Sequence, residues 1–201
     1  MRQCFSIGLF ALLVLSLPGC GGFRDTKPQL PGNLDTLCMP DYASGFEMYR
    51  YDSSTLLRIV NPWQGADSVS QWVFLSRDDE KPPKGFAGET IDVPVRRIVC
   101  MSSSYVAFLE ALGADSTICA ISGTGYIWSD KVRNRIAGGE IAEAGFDNSL
   151  NFEKLVALKP DVVFLYGLTG KNAVTDKLHE LGLKTVYIGD YVENNPLGRA
   201  E

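Results

Sequence analysis

From Arg96 onward, short apolar runs alternate with segments of helical periodicity, and this alternation constrains the fold more than any other feature of the chain. The strand candidates are Ile98–Met101, Thr117–Ile121, Val162–Tyr166 and Thr185–Ile188. The helix candidates are Tyr105–Leu112, Asp130–Ile136, Phe152–Leu158 and Asn172–Leu181. Strands that alternate with helices in this way form a parallel sheet flanked by helices. The sequence therefore predicts an α/β fold for residues 96–201.

Polar residues and glycines at the ends of the predicted helices support these boundaries. Ser103 or Ser104 is predicted to cap the first helix, and Gly113 follows its last turn. Asn151 is predicted to cap the third helix, which Pro160 prevents from continuing. Caps and periodicity thus predict the same helices.

Residues 38–95 show a different pattern, in which strand-like runs are separated by turn residues. The runs are Phe46–Tyr51, Thr55–Val60, Gln71–Leu75 and Thr90–Val95. Asp, Ser, Asn, Pro and Gly fill the segments between them, as is typical of turns. We therefore expect a small β-rich segment, an antiparallel sheet or a set of hairpins, ahead of the α/β region.

The first twenty residues have the composition of an export signal that ends in a lipidated cysteine. Arg2 is followed by the apolar run Ile7–Leu17, and Leu17-Pro18-Gly19-Cys20 has the spacing of a lipoprotein cleavage site. The run is shorter than the roughly 20 residues that a spanning helix needs. We expect a signal peptide over residues 1–19, a lipid on Cys20, and a Gly- and Pro-rich tether over residues 20–37. An ordinary secretory signal and an uncleaved anchor are the alternatives.

Charge excludes some classes of partner. The formal charge of −5 becomes −6 without residues 1–19, which contain Arg2 and no acidic residue. No basic cluster follows, so nucleic acid is not an expected partner.

The cysteines and the lone histidine bear on disulfides and metals. Cys38, Cys100 and Cys119 remain beyond the predicted lipid site, and an odd number argues against a complete disulfide framework. Cys100 and Cys119 fall on neighbouring predicted strands, where either free thiols, the preferred reading, or a disulfide would be compatible with the pattern. No CxxC motif occurs and His179 is the one histidine, so we expect no metal site formed by the protein itself.

The predicted sheet also indicates where a ligand would bind. In open α/β sheets, ligands contact the loops that follow the carboxyl ends of the strands. In this chain those loops carry hydroxyls, aromatic rings and glycines, which suit binding more than catalysis. The candidate ligand-binding residues are Ser103, Ser104, Tyr126, Trp128, Tyr166 and Tyr191. The alternatives are that the serines act only as caps and that the aromatic residues only cover the core.

Several stretches of the α/β region resemble one known family in the same order. Arg96–Ser122 resembles the opening of the periplasmic binding proteins of iron-siderophore and cobalamin ABC importers. Asn151–Leu155 followed by Ala157–Val163 resembles that family's N-x-E and L-K-P-D signature, and Leu181–Tyr187 and Asn195–Glu201 resemble later parts of it. The resemblance covers residues 96–201, about half of the chain.

The resemblance implies a fold, a ligand and a partner. It implies the first of two α/β lobes joined by a long helix, whose start would fall at residues 194–201. A metal chelate, such as a ferric siderophore, haem or a corrinoid, would lie between the lobes, and no resident cofactor is implied. Glu153 would dock into arginine pockets of an ABC permease, which is coupled to its ATPase. The alternative is that Glu153 is a capping residue that bonds its own helix.

The chain differs from this template in two respects. Residues 38–95 have no counterpart in the resemblance, and the sequence stops at Glu201, about where the linking helix should begin. We therefore expect a fragment or a truncated form that presents one lobe. The expected function is a lipid-anchored substrate-binding component of an ABC importer, outside the cytoplasm in the periplasm or at the cell surface, with no enzymatic activity.

Two other classes of function stay open. A surface hydrolase or oxidoreductase on an α/β sheet is disfavoured, because G-x-S-x-G, G-x-G-x-x-G and H-E-x-x-H motifs are all missing from the sequence. His179 lies beside Lys177 and Glu180, which indicates a solvent-facing helix surface. The other alternative is a structural or adhesive lipoprotein in which residues 38–95 act.

Overall fold

A computed structural model of the protein describes residues 34–146, 149–167 and 173–201. The predicted signal peptide, Cys20 and most of the predicted tether lie outside the described residues. The described part contains two five-stranded sheets. Among these residues, no helix is both long and apolar enough to cross a bilayer.

The first sheet is formed by the N-terminal half of the chain. Its strands, in spatial order, are β1 (Asp35–Cys38), β2 (Phe46–Tyr51), β3 (Ser54–Val60), β4 (Ser70–Ser76) and β5 (Glu89–Asp92). This confirms the expected β-rich segment. Strand β1 was not predicted and begins inside the stretch assigned to the tether.

The direction of the last strand differs from the prediction. Strands β1 to β4 pair in antiparallel fashion, but β5 runs parallel to β4. The expected antiparallel sheet is therefore confirmed for β1 to β4, and β5 is the strand that differs from it. The long connection over residues 77–88 lets the chain cross back before it pairs, as parallel neighbours require.

The second sheet confirms the α/β prediction. Its strands are β6 (Ile98–Cys100), β7 (Ile118–Ile121), β8 (Ala142–Glu143), β9 (Val162–Leu165) and β10 (Thr185–Tyr187), in the order β10-β9-β6-β7-β8. All four neighbouring pairs are parallel. Strand β8 was missed because two residues are too few to show a period.

In the described residues, five α-helices accompany this sheet: α1 (Ser103–Ala111), α2 (Asp130–Ala137), α3 (Phe152–Leu158), α4 (Ala173–Glu180) and α5 (Pro196–Ala200). Ser102 caps α1 and accepts a hydrogen bond from the Ser104 amide, so the prediction that Ser103 or Ser104 is the cap is wrong. Ser103 and Ser104 lie in the first turn of α1, because the helix begins directly after Ser102. Asn151 caps α3 as predicted.

Two apolar clusters lie on the two faces of the parallel sheet. One contains Ile98 and Val186 together with Ile59 and Val73 of the first sheet, so the two sheets share a core. The other includes residues of α3 and α4. Cys100 belongs to the first cluster and Cys119 to the second, and both are free thiols. They do not bridge because their side chains lie on different faces of the sheet.

Polar contacts also join the two sheets at the exposed edge of β10. The Gln71 amide group donates to the Thr185 carbonyl at 2.8 Å and accepts from the Tyr187 N–H at 3.0 Å. One side chain of β4 thus satisfies two backbone groups that the edge strand would otherwise leave without a strand partner. The first sheet is therefore part of the same folded unit as the parallel sheet.

Candidate ligand site at the carboxyl edge of the parallel sheet

The structure places the six predicted ligand-binding residues after four strands of the parallel sheet. Ser103 and Ser104 follow β6, Tyr126 and Trp128 follow β7, Tyr166 follows β9, and Tyr191 follows β10. Because neighbouring parallel strands end at the same edge, these residues share that edge. Whether they bind a ligand stays a prediction.

Exposed aromatic rings are the most accessible part of this edge. The side chains of Trp128 and Tyr126 are 91% and 68% exposed. Phe146, which is 50% exposed, lies edge-on to Tyr126 with 6.5 Å between ring centroids. Sequence analysis missed Phe146 because it missed β8, and recognition of that strand would have placed Phe146 in the same group.

A half-buried carboxylate, that of Glu143, holds the loop that carries Tyr126. Glu143 of β8 accepts hydrogen bonds from the N–H groups of Gly123 (2.9 Å), Thr124 (2.8 Å) and Gly145 (3.0 Å), and from the Thr124 hydroxyl. Burial raises the pKa of Glu143, but these hydrogen bonds outweigh burial and hold the pKa below its usual value. Glu143 is thus a positioning residue that the sequence analysis did not identify.

The two serines differ in their availability to a ligand. The Ser104 hydroxyl lies 2.9 Å from the Ser102 hydroxyl and is engaged with it. Ser103 is exposed, and its hydroxyl has no hydrogen-bond partner among the described residues. Of the predicted pair, Ser103 therefore has the freer hydroxyl.

The two remaining tyrosines are more enclosed. Tyr166 is partly buried and packs against both apolar clusters. The Tyr191 hydroxyl donates to the Gly167 carbonyl and accepts from the Gln64 N–H at 3.3 Å. Tyr191 thus connects the carboxyl edge to a loop of the first sheet.

Tyr105 holds the ends of β9 and β10 together from below this edge. Its buried hydroxyl donates to the carbonyls of Ile188 (2.8 Å) and Leu165 (3.2 Å). Burial, followed by the nearby Asp190, raises the pKa of Tyr105, so the hydroxyl keeps its proton and remains a donor.

Glu153, the predicted docking residue, lies in the first turn of α3 and is exposed. The capping contact of that helix is made by Asn151, whose side chain accepts from the Lys154 N–H at 2.9 Å. The Glu153 side chain makes no hydrogen bond or ion pair with any described residue. The alternative in which Glu153 bonds its own helix end is therefore not realised.

The prediction that His179 lies on a solvent-facing helix surface is corrected by its contacts. Its Nε2 atom lies 3.1 Å from a Glu89 carboxylate oxygen and 2.8 Å from the Thr185 hydroxyl. The residue therefore joins α4 to the first sheet instead of lying on a purely solvent-facing surface. Within the described ranges, no group of three or more His, Cys, Asp or Glu residues is placed to hold a metal ion.

A cavity of 770 Å³ lies elsewhere, between the two sheets. Most of its lining is apolar, but four charged residues also line it: Asp190, Glu193, Arg199 and Glu201. Ligand sites usually combine apolar walls with a few placed polar groups that orient the ligand. The carboxylates of Glu193 and Glu201 already accept hydrogen bonds from backbone N–H groups of residues 41–45. We place the candidate site at the carboxyl edge, because the loops there are the ones that bind ligands in open α/β sheets.

Residues 98–191 match the family of periplasmic binding proteins. This match confirms the resemblance found in the sequence and places it on the parallel sheet and its helices. The matched class consists, by its description, of binding proteins, which supports a non-enzymatic role.

Two curated relatives are uncharacterized lipoproteins of Methanocaldococcus jannaschii. One is 28% identical over 232 residues, which cover 100% of this chain and 55% of the relative. The other is 29% identical over 182 residues, which cover 88% of this chain and 43% of the relative. The chain thus spans about half the length of the curated relatives it matches.

Similar solved structures include the FhuD protein from S. pseudintermedius, with 28% identity and a TM-score of 0.40 over 55% of this chain and 36% of that one. The periplasmic heme binding protein HutB of Vibrio cholerae matches with 22% identity and a TM-score of 0.35, over 44% and 32% of the two chains. The vitamin B12 binding protein BtuF of Vibrio cholerae matches with 20% identity and a TM-score of 0.35, over 46% and 34%.

Proposed function

We propose that the protein is an extracytoplasmic receptor that binds a metal chelate, a ferric siderophore, haem or a corrinoid, and delivers it to an ABC permease. The observation that carries this proposal is the family match over residues 98–191, which coincides with the parallel sheet. Exposed aromatic rings at the carboxyl edge of that sheet add support, because such rings pack well against flat or apolar ligands.

The proposal includes a lipid anchor on Cys20. It is supported by the spacing Leu17-Pro18-Gly19-Cys20 and by the description of both curated relatives as lipoproteins. With residues 1–19 removed as a signal peptide, residues 20–37 would leave the folded part close to a membrane, in the periplasm or at the cell surface.

We further propose that residues 96–201 act as one lobe of a two-lobed receptor and that residues 38–95 are an extension of that lobe. The curated relatives are about twice as long as the part this chain matches, which leaves room for a second lobe. Helix α5 falls within residues 194–201, which were expected to start the linking helix.

Ligand titration tests the binding role. The intact gene product without residues 1–19 would be titrated with ferrichrome, haemin and cyanocobalamin by isothermal calorimetry. We expect one of them to bind, and Trp128→Ala to weaken that binding at least about tenfold, because an exposed ring at the site would lose its contact with the ligand. Leu112→Ala is the matched control, since Leu112 is 80% exposed at the other end of α1. Binding of none of the three classes would contradict the proposal.

Charge reversal of Glu153 tests the docking role. We expect Glu153→Arg to reduce uptake of radioactive iron or cobalamin at least about tenfold in cells that depend on the protein, without a change in ligand affinity. The reason is that an exposed carboxylate facing a guanidinium would be replaced by a like charge. Asp130→Arg is the control, because Asp130 is also a first-turn acid, with a side chain 89% exposed. Equal uptake by wild type and Glu153→Arg would remove the docking assignment.

A further inference from the structure

The connection between β3 and β4, residues 61–69, reaches the carboxyl edge of the parallel sheet. Trp63 forms an isolated parallel bridge with Gly167, two residues after the end of β9. The indole ring also lies edge-on to Tyr187 of β10, with 5.2 Å between centroids and 65° between the ring planes. A segment of the first sheet therefore lies where two strands of the parallel sheet end.

Two glycines make room for this segment. A Cβ atom on Gly167 would lie 2.6 Å from Trp63 Cε3, and one on Gly189 would lie 2.9 Å from the Pro62 carbonyl oxygen. Neither glycine has a positive φ. Glycine is therefore needed at these two positions because the segment approaches closely, and not because of the backbone conformation. Two residues after the end of each of β9 and β10, the backbone passes so close to Pro62–Gln64 that only glycine fits.

The segment is also bonded to a predicted ligand-binding residue. The Gln64 N–H donates to the Tyr191 hydroxyl at 3.3 Å, and that hydroxyl donates to the Gly167 carbonyl. Pro62 is buried, Trp63 is half-buried, and the Gln64 side chain is exposed. These contacts hold the backbone of the segment in place. The side-chain amide group of Gln64 is left at the surface.

We infer that Pro62–Gln64 forms one wall of the ligand site, and that Trp63 and Gln64 determine which chelates fit there. The inference rests on the proposed function. It gives the first sheet a role in binding, although that sheet lies outside the matched residues 98–191. An indole ring and an amide present no charge, so this wall recognises an uncharged, ring- or amide-bearing part of a chelate.

The test compares ferrichrome, haemin and cyanocobalamin on the intact gene product by isothermal calorimetry. For every probe that binds wild type, we expect Trp63→Ala to weaken binding at least about tenfold, and Trp63→Phe to weaken it less. We also expect Gln64→Lys to change the ratio of Kd values between probes, or to abolish binding where one probe binds. Trp72→Phe is the control for Trp63→Phe, because Trp72 is a buried tryptophan that packs against Tyr49 in the first sheet.

Each outcome bears on one proposal or the other. If wild type binds no probe, the proposed function fails. If wild type binds and Trp128→Ala weakens binding, but the Trp63 and Gln64 variants keep every Kd within about twofold, the function stands and the inference is overturned. If Trp63→Ala does not fold, Gln64→Lys decides, since an exposed side chain tolerates substitution. Unchanged binding by Gln64→Lys would then overturn the inference that Pro62–Gln64 forms a wall of the ligand site.

Discussion

Substitution of Gly167 by alanine is the most direct test of how the first sheet meets the parallel sheet. The new methyl carbon would start 2.6 Å from Trp63 Cε3, whereas carbon atoms in contact prefer about 3.5–4.0 Å. The indole ring must therefore move by about 1 Å or the bridge between Trp63 and Gly167 must open. Backbone strain is not involved, because the φ of Gly167 is not positive.

The size of the effect follows from three contributions. Overpacking destabilises by about 1–3 kcal/mol, and partial loss of the edge-on contact between Trp63 and Tyr187 adds up to about 1 kcal/mol. Replacement of glycine by alanine lowers the entropy of the unfolded chain and offsets about 0.4–1 kcal/mol. We expect Gly167→Ala to lower the free energy of unfolding by about 2 kcal/mol, which is a fall in Tm of about 4–8 °C for a chain of this size.

Thermal unfolding followed by near-ultraviolet circular dichroism would measure the effect. Gly125→Ala is the matched control, because a Cβ atom there meets no atom within 4 Å and the φ is not positive. A double-mutant cycle identifies the cause: in a Trp63→Ala background, the loss of stability caused by Gly167→Ala should be smaller, because the ring atoms are gone and only the Cβ atom of residue 63, 2.9 Å from the new methyl carbon, remains close. A Gly167→Ala variant as stable as wild type, or a loss of the same size with and without the indole ring, would refute the reasoning.

Three further predictions concern other contacts of the fold. Because the pKa of Glu143 is lowered, its contribution to stability is present above about pH 4.5 and is lost as the pH falls through the folded-state pKa. Glu143→Gln should therefore lower the free energy of unfolding by about 1 kcal/mol at neutral pH, and its Tm should fall less steeply than that of wild type below about pH 5. Parallel pH profiles of Tm for the two proteins would contradict this. Gln71→Ala should lower the free energy of unfolding by about 1–3 kcal/mol and speed hydrogen exchange at the Tyr187 backbone N–H. An unchanged exchange rate at Tyr187 would contradict this prediction. Burial raises the pKa of Cys100 to about 12, so iodoacetamide should label the half-buried Cys38 in the native protein before Cys100, as peptide mass spectrometry would show.

Local patterns in the sequence predicted most of the secondary structure. The helix Phe152–Leu158 has the predicted bounds, and strand Phe46–Tyr51 does too. The errors fall where the local signal is weak or shared between neighbours. Strand β8 has two residues, and three consecutive serines after β6 offer equivalent caps, of which Ser102 is the one used.

The candidate site was predicted only in part. The rule that ligands meet the carboxyl ends of parallel strands is enough to bring Tyr126 and Trp128 to one edge, because strand polarity is set once the α/β alternation is recognised. The rule does not show that Tyr191 is bonded to another loop, or that Glu143 holds the loop of Tyr126. Those facts depend on which side chains approach each other after packing.

By itself, the sequence determined the α/β class, the strand and helix positions and the edge that carries the aromatic rings, since each depends on periodicity over a few residues. Tertiary structure alone decided that the first sheet packs onto the parallel sheet. The contacts responsible join Trp63 to Gly167, Gln71 to Thr185 and His179 to Glu89. These partners lie about 90 residues or more apart in the chain, and no local pattern encodes a distance between atoms that only folding brings together.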